Sequence, residues 1–203
     1  MAKIDLKREW KELYNPSARA VSVVNVPALN YLMVDGHGDP NVAQEYKDGV
    51  QALYALAYTL TFKVKNESGV NYAVMPLEGL WWVEDMSKFT IEDKAAWDWT
   101  MMILQPEPVT VKMVQQTMGE VAKKKELAAL PRVRFEKLVE GSTAQLLHIG
   151  PYAAEGPTIE KIHAHILEAG HTLSGKHHEI YLGDPRKTAP AKLKTIIRQP
   201  FLQ

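Results

Sequence analysis

The feature that most constrains this chain is a duplicated order of elements. Hydrophobic patterning reads as strand, helix, strand, strand from about Leu29 to Leu104, and the same order recurs from about Val133 to Phe201. In the first half the buried run Leu29 to Asp35 stops at Gly36-His37-Gly38-Asp39-Pro40. Asp39 there can cap, and Pro40 can open, a helix from about Asn41 to Phe62. Tyr46, Val50, Leu53, Tyr54, Ala57 and Leu60 recur on it at helical spacing, a face read as packing on a sheet with its tyrosines in the core. Strands follow from Tyr72 to Val83 and from Ala96 to Leu104, separated by a polar loop over Glu84 to Lys94. In the second half the strand Thr143 to Ile149 is closed by Gly150-Pro151-Tyr152, and Gly156-Pro157 opens a helix that Gly170 ends. Strands from His177 to Leu182 and from Leu193 to Arg198 complete it. The duplication predicts an α+β fold: two β-α-β-β units related by a pseudo-twofold axis, antiparallel sheet with helices on one side, and a ligand cleft along the axis. Residues 1–203 are read as one domain, with an N-terminal helix over Asp5 to Tyr14 and a linking helix over Val109 to Lys125.

The strand His177-His178-Glu179-Ile180-Tyr181-Leu182 carries the candidate chemistry. Alternation puts His177, Glu179 and Tyr181 on one face and His178, Ile180 and Leu182 on the other. A strand glutamate is more often solvated or salt-bridged than functional. One that lines an apolar cleft must find a proton, a cation or strong donors, and desolvation pushes its pKa upward. On that alternative Glu179 is a general base for a water molecule, while Tyr181 or Tyr152 positions the water or hydrogen-bonds a ligand carbonyl. The third element of the first half carries Glu78, so a groove between the halves is expected to receive one acidic group from each side. Trp81, Trp82, Trp97 and Trp99, of five tryptophans in all, fall in two consecutive strands. Core packing accounts for about half of them; Trp97 and Trp99 share a face and can stack on a flat ligand.

Composition narrows the function classes. Lys plus Arg balances Asp plus Glu at 24 each, so no net field recruits nucleic acid or an anionic membrane. The absence of cysteine removes disulfides, thiolate metal sites and cysteine nucleophiles together. No HExxH or carboxylate–histidine spacing supports a metal, no GxSxG elbow supports a serine hydrolase, and the glycines before the first long helix do not fit a phosphate loop. The charged N-terminus lacks a signal peptide's apolar run and no stretch reads as a membrane span, so a cytoplasmic location is expected.

Four segments resemble a known family: Val34 to Asn41, Leu53 to Leu60, Pro76-Leu77-Glu78-Gly79-Leu80-Trp81-Trp82, and Glu179-Ile180-Tyr181-Leu182-Gly183-Asp184-Pro185. In order and in doubled topology they are similar to the stand-alone GyrI-like small-molecule-binding proteins. The resemblance implies a central cleft for lipophilic, often aromatic or cationic compounds, with Glu179 matching the buried glutamate that meets the ligand in multidrug-responsive regulators. Some stand-alone members are similar to hydrolases that open the cyclopropane ring of cyclopropylpyrroloindole genotoxins. On this resemblance Glu179 and Tyr181 are expected to be catalytic, and Glu78, Trp81, Trp97, Trp99, Tyr152 and His177 to bind ligand, without metal or cofactor. Non-catalytic sequestration and gyrase modulation are the alternatives. The chain has no room for a separate helix-turn-helix domain, so direct nucleic-acid binding is not expected. The sequence does not fix the oligomeric state.

Overall fold

The computed structural model describes residues 2–90 and 93–203. In chain order the elements are β1 (Ala2–Ile4), α1 (Leu6–Glu9), α2 (Lys11–Tyr14), β2 (Ser22–Val26), β3 (Leu29–His37), α3 (Gln44–Ser68), β4 (Val70–Tyr72), β5 (Leu77–Trp82) and β6 (Asp98–Gln105). Then follow α4 (Val111–Ala122), β7 (Arg134–Leu138), β8 (Gly141–Ile149), α5 (Gly156–Glu168), β9 (Thr172–Leu173), β10 (His177–Tyr181) and β11 (Lys194–Leu202). The main sheet runs β2-β8-β11-β10-β5-β6-β3-β7, antiparallel throughout, with β9 added on β11. A separate parallel pair joins β1 to β4.

The order is symmetric about the β10–β5 junction: β8, β11, β10 of the second half mirror β3, β6, β5 of the first. This is the duplicated α+β architecture that the repeat predicts. The halves are also laced together. β2 precedes β3 in the chain but pairs with β8, while β7 precedes β8 but pairs with β3. Val26 faces Gly141 and Leu29 faces Leu138, so one antiparallel register continues through both pairs. Two residues link β2 to β3, a span of only about 10 Å. Because those strands stand near opposite ends of the strand order, the sheet has to curl until its ends approach.

Both main helices lie on one face. α3 buries Ala52, Leu53, Leu56, Leu60 and Val64 against β3 and β6, and α5 buries Ile162 and Ile166 on Ala144, Leu146, Ile197 and Phe201. Trp99 fills the space under α3. Its ring lies where Gly36, opposite it across the β3–β6 pair, would carry a side chain: a Cβ there would overlap the Trp99 ring.

Two local expectations shift. α3 begins at Gln44, because Asp39 caps a preceding turn instead, accepting the Asn41 N–H at 2.9 Å. It runs on to Ser68, where Gly69 ends it at φ +68°. The N-terminal helix is broken at Trp10 into α1 and α2, which still bury Leu6, Leu13 and Tyr14. The loop before β6 contains single turns at Met86–Lys88 and Lys94–Ala96, and its residues 91 and 92 lie outside the described residues. No described helix is long and apolar enough to cross a membrane.

Candidate functional site

Strand register decides what shares the cleft. In an antiparallel pair, residues directly opposite each other point to the same face. Across β10–β5 the pairs are His177 with Trp81, Glu179 with Gly79, and Tyr181 with Leu77. These six therefore lie on the helix-covered side. Ile180 pairs with Glu78 and His178 with Leu80, so those four lie on the other side. The two glutamates expected to share one groove are thus one residue out of step and stand on opposite faces of the sheet.

On the helix side, Glu179 is 9% exposed and fully engaged. It contacts His177 Nε2 at 3.0 Å through one oxygen and accepts the Tyr181 hydroxyl at 2.7 Å through the other. Tyr181 in turn accepts the Trp81 indole N–H at 3.1 Å. That indole reaches it by lying across Gly79, where a Cβ would stand 2.8 Å from the indole nitrogen. Burial pushes the Glu179 carboxyl up, but the His177 hydrogen bond and charge, with the Tyr181 donor, outweigh it and hold the pKa below the ordinary value. The upward shift expected from desolvation alone is thereby reversed. Burial, with the Glu179 carboxylate beside it, raises Tyr181 well above a normal phenol, so it keeps its proton.

The carboxyl that is pushed up belongs to Glu155, which the sequence did not single out. It sits at the start of α5, only 4% exposed, and its Oε1 has no hydrogen-bond partner among the described residues. Burial first, then the neighbouring Glu179 charge, raise its pKa to about 9 against the weaker pull of the Thr195 hydroxyl and Lys94. Thr195 is there because it faces Tyr181 across β10–β11. At neutral pH the pair holds one negative charge, on Glu179, and one proton, on Glu155. Two carboxyl groups driven apart in this way are a base and an acid in contact.

A cavity of about 1230 Å³ opens over this pair, lined by Tyr46, Tyr54, Trp81, Phe89, Trp97, Tyr152, His177, Glu179, Tyr181 and Glu155 among others. Its walls are mutually packed rings. Trp81 stacks on Tyr46 at 6.2 Å and meets Trp97 edge-on at 5.4 Å. Phe89 stacks on Trp97 at 4.9 Å, and Tyr152 abuts Tyr181 at 5.6 Å. Burial, then the charges of Glu155 and Glu179, push the Tyr152 hydroxyl up to about 12.

The structure thus brings Glu179, Tyr181, Trp81, Trp97, Tyr152 and His177 to one cavity and leaves Glu78 and Trp99 outside its lining. Trp99 shares the face but lies beneath α3, its N–H donated to Gly38 O at 3.2 Å. Glu78 is closed inside the far face, accepting the Tyr14 hydroxyl at 2.6 Å and contacting His178 Nε2 at 3.0 Å. The α3 tyrosines also move: Tyr46 and Tyr54 flank the buried ridge and line the cavity instead of filling the core.

Residues 19–201 match the model of the GyrI-like small molecule binding domain. The chain belongs to the GyrI-like family. An uncharacterized conserved protein from Listeria innocua is 39% identical, with a TM-score of 0.91 over 98% of this chain and 100% of that one. A hydrolase from the same organism is 38% identical, with a TM-score of 0.88 over the same shares. The C-terminal domain of EcmrR, 12% identical with a TM-score of 0.57 over 91% of this chain and 98% of that one, shares the fold. Among curated proteins no sequence match is found. The chain is accordingly a small-molecule-binding domain of the GyrI-like type, and the aromatic cavity is its candidate site.

Proposed function

We propose that this cleft hydrolyses planar, lipophilic electrophiles, with cyclopropanoid genotoxins of the cyclopropylpyrroloindole type as the substrate class. The observation that carries the reading is the carboxyl pair: Glu179, held by His177 at 3.0 Å and the Tyr181 hydroxyl at 2.7 Å, and the buried Glu155 line one aromatic cavity, an arrangement that lowers the pKa of the first and raises that of the second. A similar protein from Listeria innocua is described as a hydrolase.

The wall formed by Trp81, Trp97 and Tyr46 would hold a planar substrate against it, in line with a water molecule at Glu179. Glu179 takes one proton of that water as its oxygen bonds to the ring methylene carbon. The strained C–C bond breaks, and its electron pair passes through the conjugated ring to the carbonyl oxygen, which takes up a proton to become a phenol. Glu179 then releases its proton to solvent, so the net change is addition of water. His177 and Tyr181 keep Glu179 ionised before the step, and neutral Glu155 supplies a donor without a second negative charge.

The test is incubation with a cyclopropylpyrroloindole compound in heavy-oxygen water, followed by product mass. One labelled oxygen per product, lost in Glu179→Gln, is the expected result. A second reading rests on the same anion: a carboxylate among aromatic faces also suits a lipophilic cation held unchanged. Recovery of the compound intact after long incubation would assign the cleft to sequestration.

A further inference from the structure

Five buried side-chain polar atoms have no hydrogen-bond partner among the described residues, and three of them fall along one row: Glu155 Oε1, Thr195 Oγ1 and His148 Nε2. Strand register sets the row. His148 on β8 faces Thr195 on β11, which in turn faces Tyr181 on β10, so all three share the helix side. Glu155 comes down on Thr195 from the start of α5, close enough for the hydroxyl to pull on its pKa. Glu155 belongs to the lining of the main cavity and Thr195 and His148 do not, so Glu155 stands between the cleft and the rest of the row. The other ring nitrogen of His148, Nδ1, contacts Thr158 Oγ1 at 2.9 Å. Thr158 lies in the first turn of α5 and is half-buried, so the row ends near solvent. Gly150 lies beside the free nitrogen at φ +147°, where a Cβ would press on Nε2 at 3.1 Å.

We propose that one water molecule bound among these three atoms makes the row a proton exit for the cleft, with His148 as its relay. The inference rests on the hydrolytic reading and names the route by which Glu179 is regenerated. A buried water typically makes about three hydrogen bonds, and a carboxyl, a hydroxyl and an imidazole nitrogen meet that need. A route is required because Glu179 is almost fully buried, and a planar substrate on the aromatic wall would stand between it and bulk water. After ring opening Glu179 carries a proton from the attacking water. It passes that proton to Glu155, with which it shares a hydrogen bond, as Glu155 gives its own proton to the buried water. The water protonates His148 Nε2, and the imidazolium sheds its Nδ1 proton through the Thr158 hydroxyl to solvent. Each group gives up one proton for each one it receives, and exchange between the imidazole tautomers closes the cycle.

The test compares the first turnover with later ones, using a cyclopropylpyrroloindole compound with the chain in excess and then in deficit. Glu179 starts ionised, so ring opening in the first turnover does not need the exit. His148→Gln is expected to leave the first-turnover rate and kcat/KM unchanged and to lower kcat by about tenfold or more, with added imidazole restoring part of the loss. Thr158→Val, at a half-buried position, is expected to lower kcat in the same selective way by a smaller factor, and it carries the comparison if His148→Gln does not fold. An equal loss in both regimes would reduce His148 to a structural role, and no loss in either variant overturns the exit. A crystal structure of the wild-type chain adds a readout independent of turnover: no water within hydrogen-bond reach of Glu155, Thr195 and His148 likewise overturns it. A wild-type chain that opens no ring even in the first turnover removes the hydrolytic reading, and the exit with it.

Discussion

The two faces of the β5–β10 junction carry the same chemical set in different settings. On the helix side a glutamate, Glu179, meets His177 at 3.0 Å and a tyrosine hydroxyl at 2.7 Å. On the far side Glu78 meets His178 at 3.0 Å and a tyrosine hydroxyl at 2.6 Å. Each histidine–glutamate contact also has a second carboxyl nearby, Glu155 on one side and Glu140 on the other. What separates the faces is the fate of that second carboxyl. Glu140 receives His178 Nδ1 at 2.9 Å and the buried Arg198 at 3.2 Å. Burial pushes it up, but His178 and Arg198 win and hold it at about 2. Among the described residues Glu155 has no cation in hydrogen-bond contact, only the weaker pull of Lys94, and its pKa rises to about 9 beside an open cavity. Buried and paired with cations, the set acts as a fastener: Arg198 also donates to Leu13 O at 2.9 Å, pinning the N-terminal segment beneath the sheet. With an unmatched proton and a cavity, the same set is the one to which the proposed reaction assigns the chemistry.

The largest test of that contrast exchanges one charge on each face. Glu179→Gln is expected to lower turnover by about 10²–10⁴-fold, the range for loss of a general base, with ligand affinity little changed. Glu78→Gln is expected to leave turnover within a factor of about two and to lower unfolding free energy by roughly 1–3 kcal/mol. Steady-state kinetics beside denaturant unfolding reads both. Lost turnover in the folded Glu78 variant would show that the far face takes part in the chemistry.

Removing the cation that distinguishes the faces comes next. Arg198→Met strands Glu140, and breaking a buried pair from one side costs about 3–5 kcal/mol. A fall in Tm with kcat/KM retained in the folded fraction is expected. A mild effect, below about 1 kcal/mol, would show that His178 alone neutralises Glu140.

How much of this contrast was legible in the sequence depends on which interactions set it. Period-2 alternation correctly placed His177, Glu179 and Tyr181 together, because that relation is internal to one strand. The relation between Glu78 and Glu179 crosses two strands, and a one-residue change of register exchanges faces; no local pattern carries that information. Trp99 was misplaced for a related reason. Its face was readable, but Gly36 and Gly49, which let its ring slide under α3, act through space. Glu155 lies in the short turn between Tyr152 and α5, where no periodicity marks it. The available signal was an acidic residue directly before Gly156-Pro157, at a helix start and three residues from a tyrosine already under consideration. The exchange of β2 and β7 between halves was likewise invisible, since each strand's own residues look the same whichever neighbour it takes.

The contrast in pKa gives the third test. A folded-state pKa raised above the unfolded one stabilises fully below the unfolded value and loses that contribution as pH rises through the folded value. For Glu155 the window runs from its ordinary 4.5 to about 9, so between these pH values folding must retain a proton that the unfolded chain has released. Glu155→Gln abolishes that requirement. Its stability should match wild type near pH 4 and exceed it increasingly above pH 5, by at most ~1.4 kcal/mol per pH unit. Glu140 has the opposite sign: its contribution is present above 4.5 and lost as pH falls toward 2. Turnover should decline in wild type as pH rises through about 9, whereas in Glu155→Gln, which keeps a neutral donor, that decline should be absent. A Tm difference between Glu155→Gln and wild type that stays flat from pH 5 to 9 would mean that Glu155 is ionised in the folded chain.

The smallest expected effect isolates the hydroxyl that holds Glu179. Tyr181 donates to Glu179 and accepts from Trp81, so Tyr181→Phe removes two hydrogen bonds while keeping the ring beside Tyr152. Without that donor the opposition to burial weakens, and the Glu179 pKa rises. The acid limb of the pH–rate profile should therefore move to higher pH, and turnover at neutral pH should fall by about tenfold, equivalent to ~1.4 kcal/mol. Tyr14→Phe is the matched change on the far face, removing the donor to Glu78. It should cost about 1 kcal/mol of stability and leave the acid limb in place. A shifted limb in Tyr14→Phe would mean that the two faces communicate through the adjacent residues His178 and Glu179 of β10, and the separation of fastener from reactive set would fail.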